Sequence, residues 1–475
     1  MNVPATTGGS VWLETAGSQP TFARLEQDVH ADVVVIGGGI VGVTTALLLQ
    51  EGGADVVLLE ANRIGHGVTG HTTAKVSSQH GMIYERLRLR FGVQAARVYG
   101  EVNEAALAWM AARVQRDGID CDFRRRASYA YVTSQSSRSR AGDEAAAARE
   151  AGLPATFADS TPLPYPVAAA VRFDDQAEFH VHSYLLALVD GLVAGGGRIF
   201  EHSHAVDVDS DEDCVVKTPG GRVIAGQIVV ATHYPFLDRS LAFARVHPQR
   251  SYAIACRILG DPPDGMFISA DGPTRSVRAV PVGGEELLLI GGEGHRTGTG
   301  GDTEQRYERL EAFAREHWNV LSVDYRWSAQ DNTTVDGLPY VGALTPRADR
   351  VFMATGFAKW GMTGGTAAAL LLCDLLLGRD NVAVRLFDPN RVNLRASASS
   401  FVRENAEAGL RFVGDRITQP GRRPIEDLQP GEGDIVRLHG EAVAGYRDDG
   451  GALHAVSATC THLGCRVNFN SAERS

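Results

Sequence analysis

The sequence predicts an α/β protein with a second part of α+β type and a small all-β module at its C-terminal end. Three observations lead to this prediction. An apolar strand, a glycine loop, a helix and a second strand follow one another over residues 32–60. Short apolar strands return at 224–232 and 351–365. Alternating strand-like segments fill 245–291 and 433–465, separated by Gly, Pro and Asp turns.

Size and charge limit the class of protein. The chain has 475 residues, which is more than one hydrophobic core usually serves, so two or three domains are expected. A formal net charge of -11 argues against general affinity for nucleic acid. No apolar run approaches the roughly 18 residues of a membrane span, and the first residues lack the basic flank and apolar core of a secretion signal. We therefore expect a cytoplasmic protein with reduced cysteines at 121, 214, 256 and 373.

The first glycine loop carries the strongest local signal. Gly37, Gly39 and Gly42 form a GxGxxG loop between an apolar strand and a helix, and Glu60 ends the next strand. In such a loop the glycines allow a tight turn, close approach of backbone to a pyrophosphate, and close packing of helix on strand. An acid about 20 residues further on can accept the ribose hydroxyl protons. The loop therefore predicts dinucleotide binding; Glu60 disfavours NADP and leaves FAD and NAD open.

Later segments favour FAD. Residues 224–232 (IAGQIVVAT) form an apolar strand that ends at Ala231 and Thr232. Residues 351–365 (VFMATGFAKWGMTGG) give a strand, a glycine turn and the start of a helix. Residues 197–208 (GRIFEHSHAVDV) are typical of a strand that passes beside adenine. FAD proteins of the glutathione-reductase type return to one sheet with distant segments of this kind.

With these segments the chain resembles the D-amino-acid oxidase superfamily of FAD-dependent amine and amino-acid oxidoreductases, which includes glycine and sarcosine oxidases. Within it, the chain resembles a subgroup that carries a C-terminal Rieske [2Fe-2S] domain. The matching stretches are WLET at 12–15, the glycine loop with Glu60, RIGHGVTGHTTAKVSSQHG at 63–81, VVATHYP from Val229, DGLPYVG from Asp336 and GFAKWGMTGG from Gly356.

The resemblance implies a division of the chain. A discontinuous, Rossmann-like FAD-binding domain of glutathione-reductase type would take residues 28–110, 165–240 and 330–395. An α+β substrate domain would take 111–164 and 241–329. A linker over 396–430 would lead to an incomplete Rieske-like domain over 431–475.

The resemblance also implies which residues contact FAD. Thr72, Thr73 and Ala74 would lie beside the pyrophosphate or flavin, and Val206 would offer backbone contacts to adenine. Gly361, Met362 and Thr363 would open a helix whose positive end faces the flavin. The full set of expected cofactor-binding residues is Gly37, Gly39, Gly42, Glu60, Ala61, Arg63, Thr72, Thr73, Ala74, Lys75, Val206, Ala231, Thr232, Gly356, Gly361, Met362 and Thr363.

Catalytic residues are harder to predict, because hydride transfer from a neutral amine needs orientation and charge placement more than a strong acid or base. By family position the candidates are His80, Lys359 and Trp360, with Lys75 as an alternative to its cofactor role. The residue type alone suggests that two arginines of the strand-like region, at 275 and 278, pair with a substrate carboxylate. Two histidines at 180 and 182 alternate at strand spacing and receive no catalytic role.

The C-terminal stretch resembles half of a Rieske site. Cys460 and His462 match the metal ligands of the first cluster loop, and Cys465 matches a cysteine that forms a disulfide in some relatives. A cluster needs two Cys and two His, one of each from each of two loops, and residues 466–475 contain neither. We therefore expect FAD in this chain and the [2Fe-2S] cluster in complete relatives only. A zinc site of these three residues is conceivable but crowded.

The sequence thus predicts an FAD-dependent oxidoreductase that acts on a small-molecule amine or amino acid, with oxygen or an electron carrier as acceptor. In complete relatives the Rieske domain would carry single electrons. The alternative is a flavin-bearing redox or interaction protein without small-molecule turnover. A flavin hydroxylase that uses NADPH lacks a visible second nucleotide site.

Overall fold

A computed structural model describes residues 9–210, 213–237, 242–297, 302–391, 423–439, 441–458 and 469. In these ranges the strands are β1 (Val29–Ile36), β2 (Val56–Leu59), β3 (Lys75–Val76), β4 (Arg124–Val132), β5 (Ala155–Ala158), β6 (Ala169–Glu178), β7 (Arg198–Phe200), β8 (Asp207–Asp209), β9 (Cys214–Lys217), β10 (Arg222–Val230), β11 (Val246–Ile258), β12 (Met266–Ser269), β13 (Arg275–Val282), β14 (Glu285–Arg296), β15 (Val320–Thr334), β16 (Tyr340–Ala343), β17 (Val351–Thr355), β18 (Gly433–Leu438), β19 (Glu441–Arg447) and β20 (Leu453–Ser457).

The helices alternate with these strands along the chain. They are α1 (Val11–Thr15), α2 (Ile40–Glu51), α3 (Tyr84–Phe91), α4 (Val93–Asp117), α5 (Arg138–Glu150), α6 (Val181–Ala194), α7 (Ala242–Arg245), α8 (Glu304–His317), α9 (Gly361–Leu376) and α10 (Val384–Phe387). Short 3-10 helices lie at Val68–His71, Gln135–Ser137 and Ile425–Asp427. Within the described ranges, no helix is both long and apolar enough to cross a membrane.

The first sheet has the strand order β16-β17-β10-β1-β2-β7, and β9 joins β10 to β8. Strands β17, β10, β1, β2 and β7 run parallel, so their carboxyl ends lie at one edge. Each of β1, β2, β10 and β17 contributes an apolar run that is buried on both faces, as expected of a parallel sheet covered by helices. This confirms that distant segments return to the sheet begun by the glycine loop.

Helix α2 begins directly after the glycine loop and is buried almost all round. Nine of its twelve residues are buried, because it packs between α6 and α9 as well as on the sheet. Because α2 follows the carboxyl end of β1 through the glycine loop, its N-terminus lies at the carboxyl edge of the first sheet. In open parallel sheets ligands bind at this edge.

The second sheet has the order β15-β11-β14-β13-β12-β4-β6-β3, with β5 beside β6. It is antiparallel except where β12 runs parallel to β4. The strand-like segments of 245–291 form β11 to β14, as predicted. Strand β6 also pairs in this sheet, although the predicted boundaries assign residues 165–240 to the cofactor domain.

The C-terminal sheet consists of β18, β19 and β20 in antiparallel order. Ile425, Leu428 and Val436 form its small core. The four cysteines at 121, 214, 256 and 373 are free and buried, as predicted. Cys460, His462 and Cys465 lie outside the described residues.

Candidate functional site

A cavity of about 430 Å³ opens at the carboxyl edge of the first sheet. A volume of roughly 300–1,000 Å³ is usual for a site that holds a cofactor-sized ligand. Of the expected cofactor residues, nine line this cavity: Gly37, Gly39, Glu60, Ala61, Thr72, Ala231, Thr232, Gly361 and Met362. The N-termini of α2 and α9 thus both face it, and each adds partial positive charge to the wall.

The geometry of the glycine loop explains why glycine stands there. Gly37 has a φ of 114°, and a Cβ on it would lie 2.4 Å from the carbonyl oxygen of Ala231. A Cβ on Gly42 would lie 1.8 Å from the carbonyl oxygen of Gly37. Both approaches are too short for any side chain. The loop is therefore compressed between β10 and α2, and backbone rather than side chains forms this wall of the cavity.

Glu60 supports the loop as well as facing the cavity. Its Oε2 accepts the backbone N–H of Gly38 at 2.7 Å, and its Oε1 accepts the N–H of Asn62 at 2.8 Å. Each carboxylate oxygen has further lone pairs, so both can still accept hydroxyl protons. This arrangement fits the ribose-binding role predicted from the spacing.

The remaining expected cofactor residues lie away from the large cavity. Arg63 donates to the carbonyl oxygen of Pro20, and the hydroxyl of Thr363 donates to that of Ser77. The N–H of Val206 donates to the carbonyl oxygen of Lys217 at 2.8 Å. The neighbours of Val206 at 203–205 line the cavity instead. Gly42, Ala74 and Gly356 shape the backbone around it, with φ values of 51° and 83° at the last two. Thr73 and Lys75 line a second cavity.

Asn332 is a residue of the large cavity that sequence reasoning missed. Its side chain is buried, and its Nδ2 donates to the carbonyl oxygen of His233 at 3.0 Å. Its Oδ1 has no hydrogen-bond partner within the protein. An unpartnered buried acceptor is unfavourable, so it needs a donor from a ligand. The hydroxyl and imide N–H groups of FAD supply such donors, and the donor set of this cavity therefore fits FAD.

Further cavity residues also escaped prediction. Their common feature is that they come from loops or strand ends brought together only by the fold. They are Asn62, His66, Thr69, His204, His233, Tyr234, Phe236, Asp331, Asn332 and Phe357. The local signals were the polar run QDNTT at 330–334 and the family-like stretches that contain several of the other residues.

A second cavity of about 90 Å³ lies under the second sheet. Strands β11 to β15 cover it, with Tyr252 and Trp327 among the lining side chains. Val68, Thr72, Asp331 and Lys359 line both cavities. The two spaces therefore share a wall. Strands β11 to β15, which cover the second cavity, are called the roof below.

Lys75 supplies a buried amine to the second cavity. Its Nζ donates to the hydroxyl of Ser276, on β13 of the roof. Burial, assisted by the positive charge of Arg278, lowers the pKa of Lys75 to about 7. The amine is therefore divided between charged and neutral forms near neutral pH.

Asp331 and Lys359 stand at the boundary between the cavities. Burial raises the pKa of Asp331 to about 6, while the positive charge and backbone N–H of Lys359 act in the opposite direction. Partial loss of solvent around its amine lowers the pKa of Lys359, although the side chain remains exposed at the boundary, and the negative charge of Asp331 acts in the opposite direction. Lys359 and Ala358 both have positive φ, 76° and 49°, and the N–H of Ala358 donates to the carbonyl oxygen of Asn332 at 2.9 Å. The end of β15 thus fixes a strained turn at the boundary.

The three catalytic candidates differ in position. Lys359 and Trp360 line the second cavity. His80 is absent from the lining of both cavities and stacks behind Trp360, with ring centroids 4.8 Å apart and planes at 19°. Its ring also contacts the hydroxyls of Tyr99 and Thr363. Burial lowers the pKa of His80 to about 3, so the ring is neutral. Because Trp360 stands between them, His80 contacts the second cavity only indirectly.

The suggestion that two roof arginines pair with a substrate carboxylate is wrong for this structure. Arg275 forms an ion pair with Glu293 at 2.7 Å. Arg278 pairs with Glu178 at 3.3 Å and donates to the carbonyl oxygens of Thr73 and Ala74. Neither arginine lines the second cavity. Their charges are used inside the protein, because a buried guanidinium requires such partners.

The predicted cluster ligands Cys460 and His462 fall outside the part of the chain that the structure describes. Within that part, no group of three or more His, Cys, Asp and Glu side chains is placed to hold a metal ion. The ligand assignment in the C-terminal module therefore stays a prediction.

Comparison with known protein families gives two matches. The model of FAD dependent oxidoreductases matches residues 32–375, and that of the Rieske [2Fe-2S] domain matches residues 423–475. The two matches divide the chain where the described structure changes from the two large sheets to the small C-terminal sheet.

The chain is also similar to individual proteins. The chain is 36% identical over 464 residues to YhfW of Bacillus subtilis, a protein named for a Rieske 2Fe-2S iron-sulfur centre, covering 97% of this chain and 91% of YhfW. It is 24% identical over 385 residues to gamma-glutamylputrescine oxidoreductase of Escherichia coli, covering 78% and 89% of the two chains. The fold is similar to glycine oxidase from Geobacillus kaustophilus, with a TM-score of 0.64, 19% identity, and coverage of 76% of this chain and 99% of the oxidase.

Proposed function

Because the chain belongs to the family of FAD-dependent oxidoreductases, we propose that it oxidises a small amine or amino acid by hydride transfer to FAD. The hydride would come from the carbon that bears the nitrogen. The resulting imine would then hydrolyse to a carbonyl compound and an amine or ammonia.

The wall shared by the two cavities is the observation that carries this proposal. Val68, Thr72, Asp331 and Lys359 belong to both linings, so a compound in the second cavity would adjoin the group held in the first. Direct transfer requires such contact, since the reacting atoms must approach to about 3–3.5 Å. A volume of about 90 Å³ favours a small substrate.

When bound, FAD supplies the hydride acceptor. The protein supplies orientation and charge. The N-terminus of α9, at Gly361 and Met362, places partial positive charge on the wall of the cofactor cavity. The roof strands cover the second cavity and limit access of water, which strengthens electrostatic interactions inside it. Trp360, held from behind by His80, gives that cavity a flat apolar side.

Anaerobic mixing of the FAD-loaded protein with a panel of amines and amino acids tests the proposal. We expect at least one compound to bleach the yellow flavin absorbance, and dithionite to bleach it in every sample. If dithionite reduces the flavin but no member of a broad panel does, the proposal fails. A flavin-bearing redox or interaction protein without small-molecule turnover would then be favoured.

Two classes of electron acceptor are compatible with the proposal. Oxygen would yield hydrogen peroxide, whereas a separate carrier would leave the reduced protein stable in air. A Rieske domain with both cluster loops would carry single electrons away from the flavin. Admitting air after anaerobic reduction and measuring peroxide separates the two classes.

A further inference from the structure

We propose that Asp331 binds the substrate's nitrogen as an ammonium ion and takes one proton from it, so that the site selects amines that enter as cations. This inference rests on the proposed function and assigns a recognition residue to its substrate. In the step, an N–H bond of the ammonium breaks and an O–H bond forms on the Asp331 carboxylate. No electrons move, and the neutral amine that remains is the form that can lose hydride.

The position of Asp331 carries the first part of the argument. The reacting C–N group has to lie where the two cavities meet, because the cofactor occupies one and the substrate the other. Asp331 lines both cavities and is the one acid among the described residues of the second. Its side chain comes from β15, the strand that also anchors the boundary turn through Asn332.

The Asp331 carboxylate also lacks a strong internal partner. Lys359 reaches it through its backbone N–H, and the Lys359 ammonium acts on it only through space. That ammonium lies against Gly294 on β14, 2.8 Å from where a Cβ would be. A carboxylate in an enclosed site gains most from a charged hydrogen-bond donor, and a substrate ammonium is such a donor.

The positive groups of the roof are less suited to bind a substrate anion. Arg275 and Arg278 are held by Glu293 and Glu178, as described above. Lys75 is bonded to Ser276 and is partly neutral near pH 7. An anion in the second cavity would therefore meet a partly neutral amine at Lys75, whereas a cation would meet the Asp331 carboxylate. The Lys359 ammonium, which also lines this cavity, lies against Gly294. Charge selection at the boundary consequently favours the cation.

Compounds that cannot be oxidised give a direct test. Tert-butylammonium, tert-butanol and trimethylacetate share a tert-butyl group, differ in charge, and lack a hydrogen on the central carbon; the first two are also closely similar in size. Binding to the FAD-loaded protein is measured by calorimetry. We expect tert-butylammonium to bind more tightly than the other two compounds, and Asp331→Asn to weaken its binding about tenfold or more, as for loss of a charged hydrogen bond. Binding of tert-butanol should be the same in both proteins.

The controls separate this inference from the proposed function. Flavin absorbance reports whether Asp331→Asn retains FAD, and the comparison of the three compounds on the unaltered protein needs no variant. Tighter binding of trimethylacetate than of the cation, abolished in Lys75→Met, would overturn the inference, as would an unchanged cation affinity in Asp331→Asn or no cation binding at all. Cation binding without flavin reduction by any substrate would overturn the proposed function alone.

Discussion

At the scale of single residues, burial has shifted the proton affinities of three groups near the boundary in the directions that favour their neutral forms. The pKa of Asp331 is raised to about 6, that of Lys75 is lowered to about 7, and that of Lys359 is also lowered. Perturbed groups collect at functional sites because enclosed, charged environments are needed for chemistry there. Here they collect on the walls of the second cavity.

The shift at Lys75 makes a prediction about stability. The pKa is about 7 in the folded protein and 10.5 for an ordinary lysine. Between these values the unfolded chain binds more protons than the folded one, so stability rises with pH. Compared with Lys75→Met, the unaltered protein should gain stability from pH 7 to about pH 10, by roughly 1.3 kcal/mol per pH unit at most.

Thermal unfolding of both proteins across this range measures the effect. The difference in Tm between the unaltered protein and Lys75→Met should change steadily in favour of lysine as pH rises. Lys217 provides a matched control, because it is an exposed lysine paired with Asp207 on the surface. Parallel pH profiles for the unaltered protein and Lys75→Met, like those expected for Lys217→Met, would contradict a lowered pKa at Lys75.

Single residues that belong to a short sequence motif could be predicted, whereas residues that only the fold brings to the site could not. Gly37, Gly42 and Glu60 were predictable because one short segment defines the turn, the close approach and the acid. Asp331 and Asn332 were not, because their importance comes from β15 reaching the cofactor cavity across 270 residues of chain from Ala61. His80 lies in the region predicted for it, but its ring stacks behind Trp360 and does not line a cavity.

At the scale of elements, the junction of β1, the glycine loop and α2 is the most tightly constrained part of the site. The carbonyl oxygen of Gly37 approaches Gly42 so closely that a methyl group at 42 would overlap it at 1.8 Å. Helix α2 would have to move away from the loop to relieve this overlap. That movement would displace the N-terminus that faces the cavity.

Gly42→Ala should therefore reduce FAD retention strongly. We expect most of the flavin to be lost on gel filtration, with the fraction retained read from the ratio of visible to ultraviolet absorbance. Gly142→Ala is the matched control, since Gly142 lies in α5 and a Cβ there would have nothing within 4 Å. Equal FAD content in the two variants would show that the loop tolerates the overlap.

Element prediction succeeded where the apolar pattern was long and failed where it was short. Strands β11 to β14 follow the strand-like pattern predicted for 245–291 closely. The histidines at 180 and 182 alternate as in a strand, but His180 caps α6, its Nδ1 accepting the N–H of Ser183 at 3.2 Å, and His182 lies in that helix. Two alternating residues also fit the start of a helix, and a pattern of that length therefore cannot distinguish a strand from a helix.

At the scale of the whole molecule, each large sheet lies beside one cavity: the parallel sheet borders the first cavity, and the antiparallel sheet covers the second. The parallel sheet gathers strands from 29–36, 56–59, 198–200, 222–230 and 351–355 at one edge. The antiparallel sheet consists of strands from between these segments. The sequence alone indicated this interleaving through its returning apolar strands, whereas a ten-residue strand such as β6 carries no mark of the sheet it joins, so the domain boundaries stay a prediction.

The match to the Rieske domain follows the match to the oxidoreductase family along this chain. Its described strands form a separate three-stranded sheet at residues 433–457.

The wall shared by the two cavities would allow a small amine or amino acid to reduce the FAD directly. Direct reduction can be measured by anaerobic titration of the FAD-loaded protein with a compound that bleaches it, followed by assay of the carbonyl product. We expect one equivalent of carbonyl product for each FAD reduced. Bleaching without stoichiometric carbonyl product, or no bleaching by any amine or amino acid while dithionite still reduces the flavin, would contradict it.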